Sequence, residues 1–212
     1  MSTDPRATSA EHWQLVLASA SRTRSALLAQ AGIEHSTQAS AVDESRVTAA
    51  TPQALVSLLA DAKARAVARS TTRAIVLGCD SVLGIEGRVL GKPPTAEAAL
   101  EHWGLIAGRT ATLFTGHTLL RVEQGVITGE AAGVAQTDVS FGRPTPAELA
   151  AYVATGEPLA SAGAFTLEGL SAPFVESISG SPSNVLGLSL PLLGRLLNEL
   201  GISVVQLWKP AR

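Results

Sequence analysis

Two serines and two arginines follow a short apolar run near the start of the chain, in the segment Ser19-Ala20-Ser21-Arg22-Thr23-Arg24. The apolar run predicts a buried strand, and the residues after Ser21 predict a helix that Gly32 ends. A cation is disfavoured at a helix N-terminus, where the free amides already carry about half a positive charge. Amides, hydroxyls and guanidinium groups in one place therefore indicate a site for an anion such as phosphate. In the alternative interpretation, Ser21 only caps the helix and the arginines face water.

Asp80 follows Ala74-Ile75-Val76-Leu77-Gly78, the strongest buried-strand pattern in the chain. We expect it at the carboxyl end of a central strand, which is where open α/β sheets bind ligands. A carboxylate in that position can hold a metal ion or accept a proton from water. The alternative is an aspartate that caps a turn.

Further charged residues lie at positions that a cleft could use. Asp43 and Glu44 form a pair of carboxylates in a loop, Lys63 lies at the edge of an apolar helical stripe, and Lys92 lies in the bend Gly91-Lys92-Pro93. Lys63 could extend its amine to solvent along the surface or point it into a cleft, and a lone lysine in a turn normally faces solvent. With Arg24 and Asp80, these residues supply the mixture of cations and carboxylates that a metal-assisted polyphosphate site needs.

Several familiar motifs are absent from the chain. Gly91-Lys92 is followed by Pro93 and lacks the hydroxyl of a phosphate-binding loop, and no G-x-G-x-x-G pattern occurs. Cys79 is the single cysteine, so no intrachain disulfide or cysteine metal cluster can form. We interpret it as a small buried core residue.

The elements that must position these residues alternate between strand and helix. Capping residues and periodicity predict helices over 22–31, 52–69, 96–106, 146–155 and 190–200. Apolar runs predict strands over 14–18, 74–78, 110–122, 126–141, 173–178 and 204–208, with a hairpin over 82–90. This order predicts an α/β layered domain with a mixed sheet.

Composition bounds the remaining possibilities. The chain has 212 residues, with 16 Lys and Arg, 18 Asp and Glu, a net charge of −2 and 46% apolar residues. We expect a flexible tail over 1–12 and one domain over 13–212. The charge is balanced and without basic runs, which argues against nucleic-acid binding. Without an apolar signal segment or a membrane-spanning stretch, we expect a cytoplasmic protein that binds no membrane.

The chain resembles the Maf-like nucleoside triphosphate pyrophosphatases from Leu15 onward, most closely the form found in high-GC Gram-positive bacteria. The segments that carry the resemblance stand in one order along the chain: Leu17-Ala18-Ser19-Ala20-Ser21, Val42-Asp43-Glu44, Ala62-Lys63-Ala64, Gly78-Cys79-Asp80-Ser81, Leu90-Gly91-Lys92-Pro93, 152–158, Ala162-Gly163-Ala164-Phe165 and 183–188.

The resemblance implies an elongated mixed β-sheet flanked by helices, with two lobes around a central cleft, as in Maf and inosine triphosphatase folds. It implies hydrolysis of a nucleoside triphosphate between the α- and β-phosphates, to a nucleoside monophosphate and pyrophosphate. It also implies a divalent cation, Mg²⁺ or Mn²⁺, and a homodimer. On this basis Asp80 is the proton acceptor, Glu44 and Asp80 hold the metal, and the phosphate-binding residues are Ser19, Ser21, Arg24, Lys63 and Lys92.

The same resemblance assigns base specificity to Thr23, Ser81 and Glu168. Family members specific for dTTP and UTP have arginine, threonine and glutamine at these positions. Members acting on 7-methyl-GTP have a glutamate at that of Glu168, as this chain does, but a tryptophan at that of Thr23. This chain matches neither pattern, so the preferred base, canonical or modified, stays open. Glu168 only accepts hydrogen bonds and therefore suits a base edge rich in donors.

Two alternatives to this enzyme remain at this point. One is a non-catalytic nucleotide-binding regulator of septum formation, because the family has been associated with cell division. The retention of Asp80, Glu44, Lys63 and Lys92 argues for catalysis, since a pure binder does not need a carboxylate that activates water. The other is an inosine triphosphate pyrophosphatase, which the Ser19-Ala20-Ser21 start disfavours.

Overall fold

The structure is a computed structural model that describes residues 12–209. A seven-stranded mixed sheet runs through it, with strand order β2-β1-β3-β5-β6-β7 and β4 paired to β3. The strands are β1 (Leu15–Leu17), β2 (His35–Thr37), β3 (Ala74–Ile85), β4 (Arg88–Leu90), β5 (Thr110–Glu123), β6 (Val126–Phe141) and β7 (Val175–Ser179). β1 pairs in parallel with β2 and β3, and the other pairs are antiparallel.

Helices flank this sheet on both faces. They are α1 (Arg22–Gln30), α2 (Pro52–Ala68), α3 (Ala96–Ile106), α4 (Pro146–Ala154), α5 (Pro182–Val185) and α6 (Leu190–Glu199). Threonine or serine side chains cap α2, α3, α4 and α6, as the sequence predicts, and Thr145 and Glu148 form a reciprocal capping box on α4. Short 3-10 helices cover Glu44–Arg46, Glu157–Ala160, Ala162–Ala164, Ala172–Phe174 and Val204–Leu207.

The central strand β3 has different partners on its two edges. β5 pairs along one edge from Ala74 to Gly84. On the other edge, β1 pairs with residues 75–77 and β4 with residues 83–85. Residues 78–82 therefore have no strand partner on that edge, and the sheet is split there.

The split separates the two largest of four apolar clusters. One packs α1 and α6 around the first half of β3, with Leu15, Leu28, Leu77 and Leu196 among its members. The other packs α3 and α4 around the second half of β3 and centres on Trp103, whose ring makes edge contacts with Phe141, Tyr152 and Phe174. Since β3, β5 and β6 pass through both cores, they join two lobes around the split, as expected.

Helix α2 lies unusually close to the sheet because two glycines face it. A Cβ atom on Gly78 would lie 2.1 Å from the Ala60 carbonyl oxygen, and one on Gly116 would lie 2.2 Å from the Val56 carbonyl oxygen. No side chain fits at either position without moving the helix backbone. This contact brings the face of α2 that carries Lys63 against the middle of β3.

Some predictions differ from the structure. Asp80 lies inside β3, because the strand continues through Asp80 to Ile85 instead of ending before it. The strand predicted over 204–208 is wrong: Val204–Leu207 forms a 3-10 helix, and the Ser203 amide donates to Gln206 Oε1 at 2.8 Å, which closes a turn instead. The predicted strand over 173–178 begins at Val175, after a 3-10 turn that contains Pro173.

Two short elements of the structure were absent from the sequence-based prediction, and most of the predicted tail cannot be compared. β2 and α5 were not predicted, since three or four residues carry too little periodicity. Residues 1–11 of the predicted tail, and residues 210–212, lie outside the described residues. The last residue of that tail, His12, is exposed and lies 3.4 Å from the Glu34 carboxylate.

Candidate active site

A cleft with a volume of about 1120 Å³ lies along the split edge of β3, between the two lobes. Every residue that the sequence analysis assigned to the site lines it: Ser19, Ser21, Thr23, Arg24, Glu44, Lys63, Asp80, Ser81, Lys92 and Glu168. The structure therefore brings together groups that are up to 149 positions apart in the sequence. It also adds the side chains of Arg22, Glu157 and Thr166 to the cleft wall.

The hydroxyls at one end of the cleft are ordered by the start of α1. Ser21 is the N-cap residue, and its Oγ accepts the Arg24 amide at 3.3 Å. Ser19 Oγ accepts the Ser21 amide at 3.1 Å. The two serines thus close the turn between β1 and α1, as well as facing the cleft.

Arg24 turns inward from this helix and is buried. Its Nε donates to the Gly187 carbonyl at 2.6 Å, Nη1 to the Cys79 carbonyl at 3.0 Å and Nη2 to Ser81 Oγ at 3.0 Å. The Cys79 carbonyl lies on the part of the β3 edge that no strand covers. Arg24 therefore joins α1, β3 and the α5–α6 connection, and its assignment to phosphate stays a prediction.

The remaining basic residues at the cleft are more accessible. Arg22 and Lys92 are exposed, and within residues 12–209 neither side chain makes a hydrogen bond or an ion pair. Of the two arginines, the resemblance assigns only Arg24 to phosphate, although the residue pattern at the start of α1 also includes Arg22 in the anion site. Its position at the first turn of α1, without an acidic partner, was the available indication.

Lys63 joins two carboxylates in the middle of the cleft. Its Nζ lies 2.6 Å from Asp80 Oδ1 and 2.6 Å from Glu44 Oε1. Lys63 and Asp80 are buried, whereas Glu44 is exposed at the cleft mouth. Of the two interpretations of Lys63, the structure confirms the one in which its charge points into a cleft.

The local structure distinguishes Glu44 from its neighbour Asp43. Asp43 caps the 3-10 helix Glu44–Arg46, and its Oδ1 accepts the Ser45 amide at 3.2 Å. That cap directs the Asp43 side chain away, and Glu44 alone of the pair reaches Lys63. Asp80 is fixed by the register of β3, in which it lies opposite Gly116 of β5.

The carboxylates fit a hard divalent cation. Glu44 and Asp80 each place an oxygen against the same Lys63 ammonium, so both oxygens converge on one positively charged position. Among residues 12–209 no group of three or more His, Cys, Asp or Glu side chains gathers to hold a metal. Mg²⁺ is typically held by one or two carboxylates with water and substrate phosphates in its other positions, so two carboxylates suffice.

The three residues predicted to read a base also line the cleft. Glu168 is exposed at the wall, in a loop that also contributes Thr166. Thr23 lines the wall near the start of α1, and Ser81 Oγ is engaged by Arg24 and lies 3.0 Å from Thr115 Oγ1. Their roles in base selection stay predictions.

Two buried titratable groups lie next to the cleft without lining it. Burial raises the pKa of the Cys79 thiol to about 12, so it stays protonated and is a core residue, as predicted. Burial lowers the pKa of His117 to about 4. The neutral His117 ring donates from Nδ1 to the Thr115 carbonyl at 3.1 Å and accepts the Ser189 amide at Nε2, at 2.9 Å.

The sequence is similar to those of known proteins along most of its length. Residues 14–200 match the family model described as Maf-like protein. The chain is 51% identical over 200 residues to a protein of Streptomyces coelicolor and 49% identical over 208 residues to one of Nocardia farcinica, both named nucleoside triphosphate pyrophosphatase. Each alignment covers 93% of this chain, and 96% and 98% of those proteins, respectively.

A solved structure, that of a nucleoside-triphosphatase or dITP/XTP pyrophosphatase from Mycobacterium abscessus, is much more distant. It shares 15% identity with this chain and has a TM-score of 0.40, with 88% of this chain and 97% of that chain covered. The family match spans the whole cleft, from β1 to α6, and includes all ten predicted site residues. The chain belongs to the Maf-like family.

Proposed function

We propose that this protein is a nucleoside triphosphate pyrophosphatase that hydrolyses the α–β phosphate bond of canonical or modified nucleoside triphosphates in the cytoplasm. The observation that carries the proposal is the buried ion pair of Asp80 and Lys63 in a cleft that also presents hydroxyls and accessible basic side chains. The names of the relatives with about 50% identity support the same activity. Within residues 12–209, no helix is long and apolar enough to cross a membrane.

In this proposal the polyphosphate lies between the two lobes. The Ser19 and Ser21 hydroxyls and the basic side chains of Arg22 and Lys92 bind phosphate oxygens, because all four line the cleft. The exposed Arg22 and Lys92 side chains bind phosphate without breaking the contacts of Arg24. Ser19 Oγ accepts a hydrogen bond from Arg24 Nη1 at 3.4 Å and donates its own hydrogen to phosphate. The base extends toward Glu168 on the cleft wall.

Asp80 is placed to accept the proton of the attacking water. Lys63 Nζ donates to Asp80 Oδ1, and within the described residues no hydrogen bond reaches Oδ2, which leaves that oxygen for water. The water oxygen forms a bond to phosphorus as the bridging P–O bond breaks. The proton passes to Asp80 Oδ2, and pyrophosphate and a nucleoside monophosphate are the products.

A divalent cation, Mg²⁺ or Mn²⁺, is part of the proposal. Glu44 and Asp80 would hold it, and it would supply charge stabilisation for the phosphate oxygens. Lys63 keeps the two carboxylates close together without a metal, because its ammonium contacts both. The homodimer that the family resemblance implies stays a prediction, which analytical ultracentrifugation tests.

The test is a panel of nucleoside triphosphates with detection of released pyrophosphate, with and without Mg²⁺ or Mn²⁺. We expect the wild-type protein to release pyrophosphate and Asp80→Asn to lose about 10²–10⁴-fold in rate while it stays folded, because the amide cannot accept the proton. Asp138→Asn is the matched control, since Asp138 is exposed on β6 outside the cleft. Nucleotide binding without pyrophosphate release by the wild type would favour the regulatory alternative.

A further inference from the structure

The loop that carries Glu168 is closed by hydrogen bonds at both of its ends. Residues 166–171, here called the 166–171 loop, follow the 3-10 helix Ala162–Ala164. The Thr166 amide donates to Ser171 Oγ at 2.8 Å, and Ser171 Oγ donates to the Thr166 carbonyl at 3.0 Å. Ser171 is fully buried, so this pair anchors the base of the loop to the core.

A second carboxylate, that of Glu157, holds the same loop from inside. Glu157 Oε1 accepts the Thr166 hydroxyl at 2.9 Å and the Leu170 amide at 2.9 Å. One oxygen therefore binds the residues on either side of the stretch 167–169. The stretch contains Glu168, the residue predicted to read the base.

The loop wraps so closely around this carboxylate that a side chain at residue 169 would collide with it. A Cβ atom on Gly169 would lie 2.4 Å from Glu157 Oε1 and 2.2 Å from Thr166 Oγ1. A side chain at residue 169 would therefore displace these two side-chain oxygens. The Glu157 carboxylate thus fills the space that the loop encloses.

Glu157 is itself fixed by the end of α4. Its amide donates to Thr155 Oγ1 at 3.2 Å, and Thr155 Oγ1 donates to the Tyr152 carbonyl at 2.6 Å. Tyr152 packs in the second core. A chain of hydrogen bonds therefore runs from the second core through Glu157 to the loop that faces the cleft.

Glu168 makes no comparable contact. Its side chain is exposed to the cleft and, among residues 12–209, takes part in no hydrogen bond or ion pair. Its position therefore depends on the backbone of the loop. Fixing the backbone lowers the conformational entropy that Glu168 would lose when a ligand binds.

We propose that Glu157 is a positioning residue for base selection, and that it acts by holding the 166–171 loop so that Glu168 meets the base. This rests on the proposed function. Glu157 acts through Glu168 and not on the phosphates. Its loss should therefore affect discrimination between bases, and not the handling of the polyphosphate.

The experiment compares Glu157→Ala with the wild type in two measurements. The first is kcat/KM for GTP, CTP, UTP and dTTP, and the second is the inhibition constant of inorganic tripolyphosphate, a competitor without a base. We expect the ratio of kcat/KM between the best and the worst nucleotide to fall at least about tenfold in Glu157→Ala, with the change in KM. A displacement of Glu168 by about 1 Å is enough to cost this much or more. The inhibition constant should stay at the wild-type value.

Three further variants make the result specific. Glu157→Gln retains an oxygen that accepts both hydrogen bonds, so it should recover most of the discrimination. Thr166→Val removes one of the two bonds at nearly constant volume and should give an intermediate ratio, even where Glu157→Ala fails to fold. Glu199→Ala removes an exposed carboxylate at the end of α6, outside the cleft, and should change neither measurement.

The outcomes separate this inference from the proposed function. Absence of pyrophosphate release by the wild type with every nucleotide would refute the proposed function. An active wild type with unchanged base ratios in Glu157→Ala and Thr166→Val would overturn the positioning role. Equal losses for all bases, together with a weaker inhibition constant for tripolyphosphate, would also overturn it and show a general structural role.

Discussion

Replacing Arg24 by alanine decides between two roles for this side chain. If Arg24 is mainly a phosphate ligand, Arg24→Ala raises KM and leaves the free energy of unfolding nearly unchanged. The structure favours the other result, because the buried guanidinium donates to the Gly187 and Cys79 carbonyls and to Ser81 Oγ. We expect a large loss of stability.

The size of that loss follows from the acceptors that Arg24→Ala leaves behind. The buried Cys79 carbonyl and the partly buried Gly187 carbonyl lose a charged donor. A buried unsatisfied acceptor costs about 1–3 kcal/mol, so the two together set an upper range of about 2–6 kcal/mol. Ser81 Oγ retains Thr115 as a partner at 3.0 Å and adds little. With a central value of about 4 kcal/mol, a chain of this length should lose roughly 8–16 °C in Tm.

The assay is urea unfolding of the wild type, Arg24→Ala and Arg24→Lys, followed by circular dichroism. Lysine retains the charge, but its single ammonium cannot reach the separate acceptors that the planar guanidinium of arginine spans. It should therefore recover only part of the stability. Arg22→Ala is the control, because Arg22 is exposed on the same helix turn. A loss below about 1 kcal/mol in Arg24→Ala, which is the range of an exposed contact, would refute the reasoning.

Three other predictions test separate parts of the molecule. Burial lowers the pKa of His117 to about 4 in the folded protein, against an ordinary value of 6.5. As the pH falls, the unfolded chain therefore binds a proton at His117 before the folded protein does. The free energy of unfolding should fall by about 3 kcal/mol between pH 6.5 and pH 4. Urea unfolding at several pH values measures this, and His117→Gln should flatten that dependence. Gly78→Ala places a Cβ 2.1 Å from the Ala60 carbonyl oxygen and should cost at least about 1–3 kcal/mol in the same assay, whereas Gly104→Ala, with open space around it, should cost nothing. If Glu168 reads the base, Glu168→Gln should shift relative kcat/KM toward UTP and dTTP, whose edges both donate and accept; identical profiles would contradict that role.

Local patterns predicted most of the regular structure. Four helices begin at the predicted capping residues, which are Thr51, Thr95, Thr145 and Ser189. Each capping side chain accepts a hydrogen bond from the backbone amide three residues later. These caps are short-range hydrogen bonds, so the residue types alone are informative. The same local reasoning fails over 204–208, where an apolar run predicts a strand but the hydrogen bond between Ser203 and Gln206 closes a turn.

The types of the site residues were also evident without the structure. Carboxylates, lysines and hydroxyls in a suitable mixture, together with the family resemblance, indicated a polyphosphate site, and the cleft gathers all ten. What the types did not show is how each one is used. Asp43 and Glu44 are adjacent carboxylates, yet one caps a 3-10 helix and the other reaches Lys63.

Only the tertiary structure determined the partners of Arg24, Lys63 and Glu157. Arg24 faces Gly187, 163 positions later in the chain, and Lys63 faces Asp80 across the contact of α2 with Gly78. Such contacts depend on strand register and on how closely a helix approaches the sheet. Both are set by packing between distant segments, which no local pattern encodes. The sequence by itself therefore determined the helices, most of the strands and the chemical class of the site, and packing decided which charges meet, which are buried and which face the ligand.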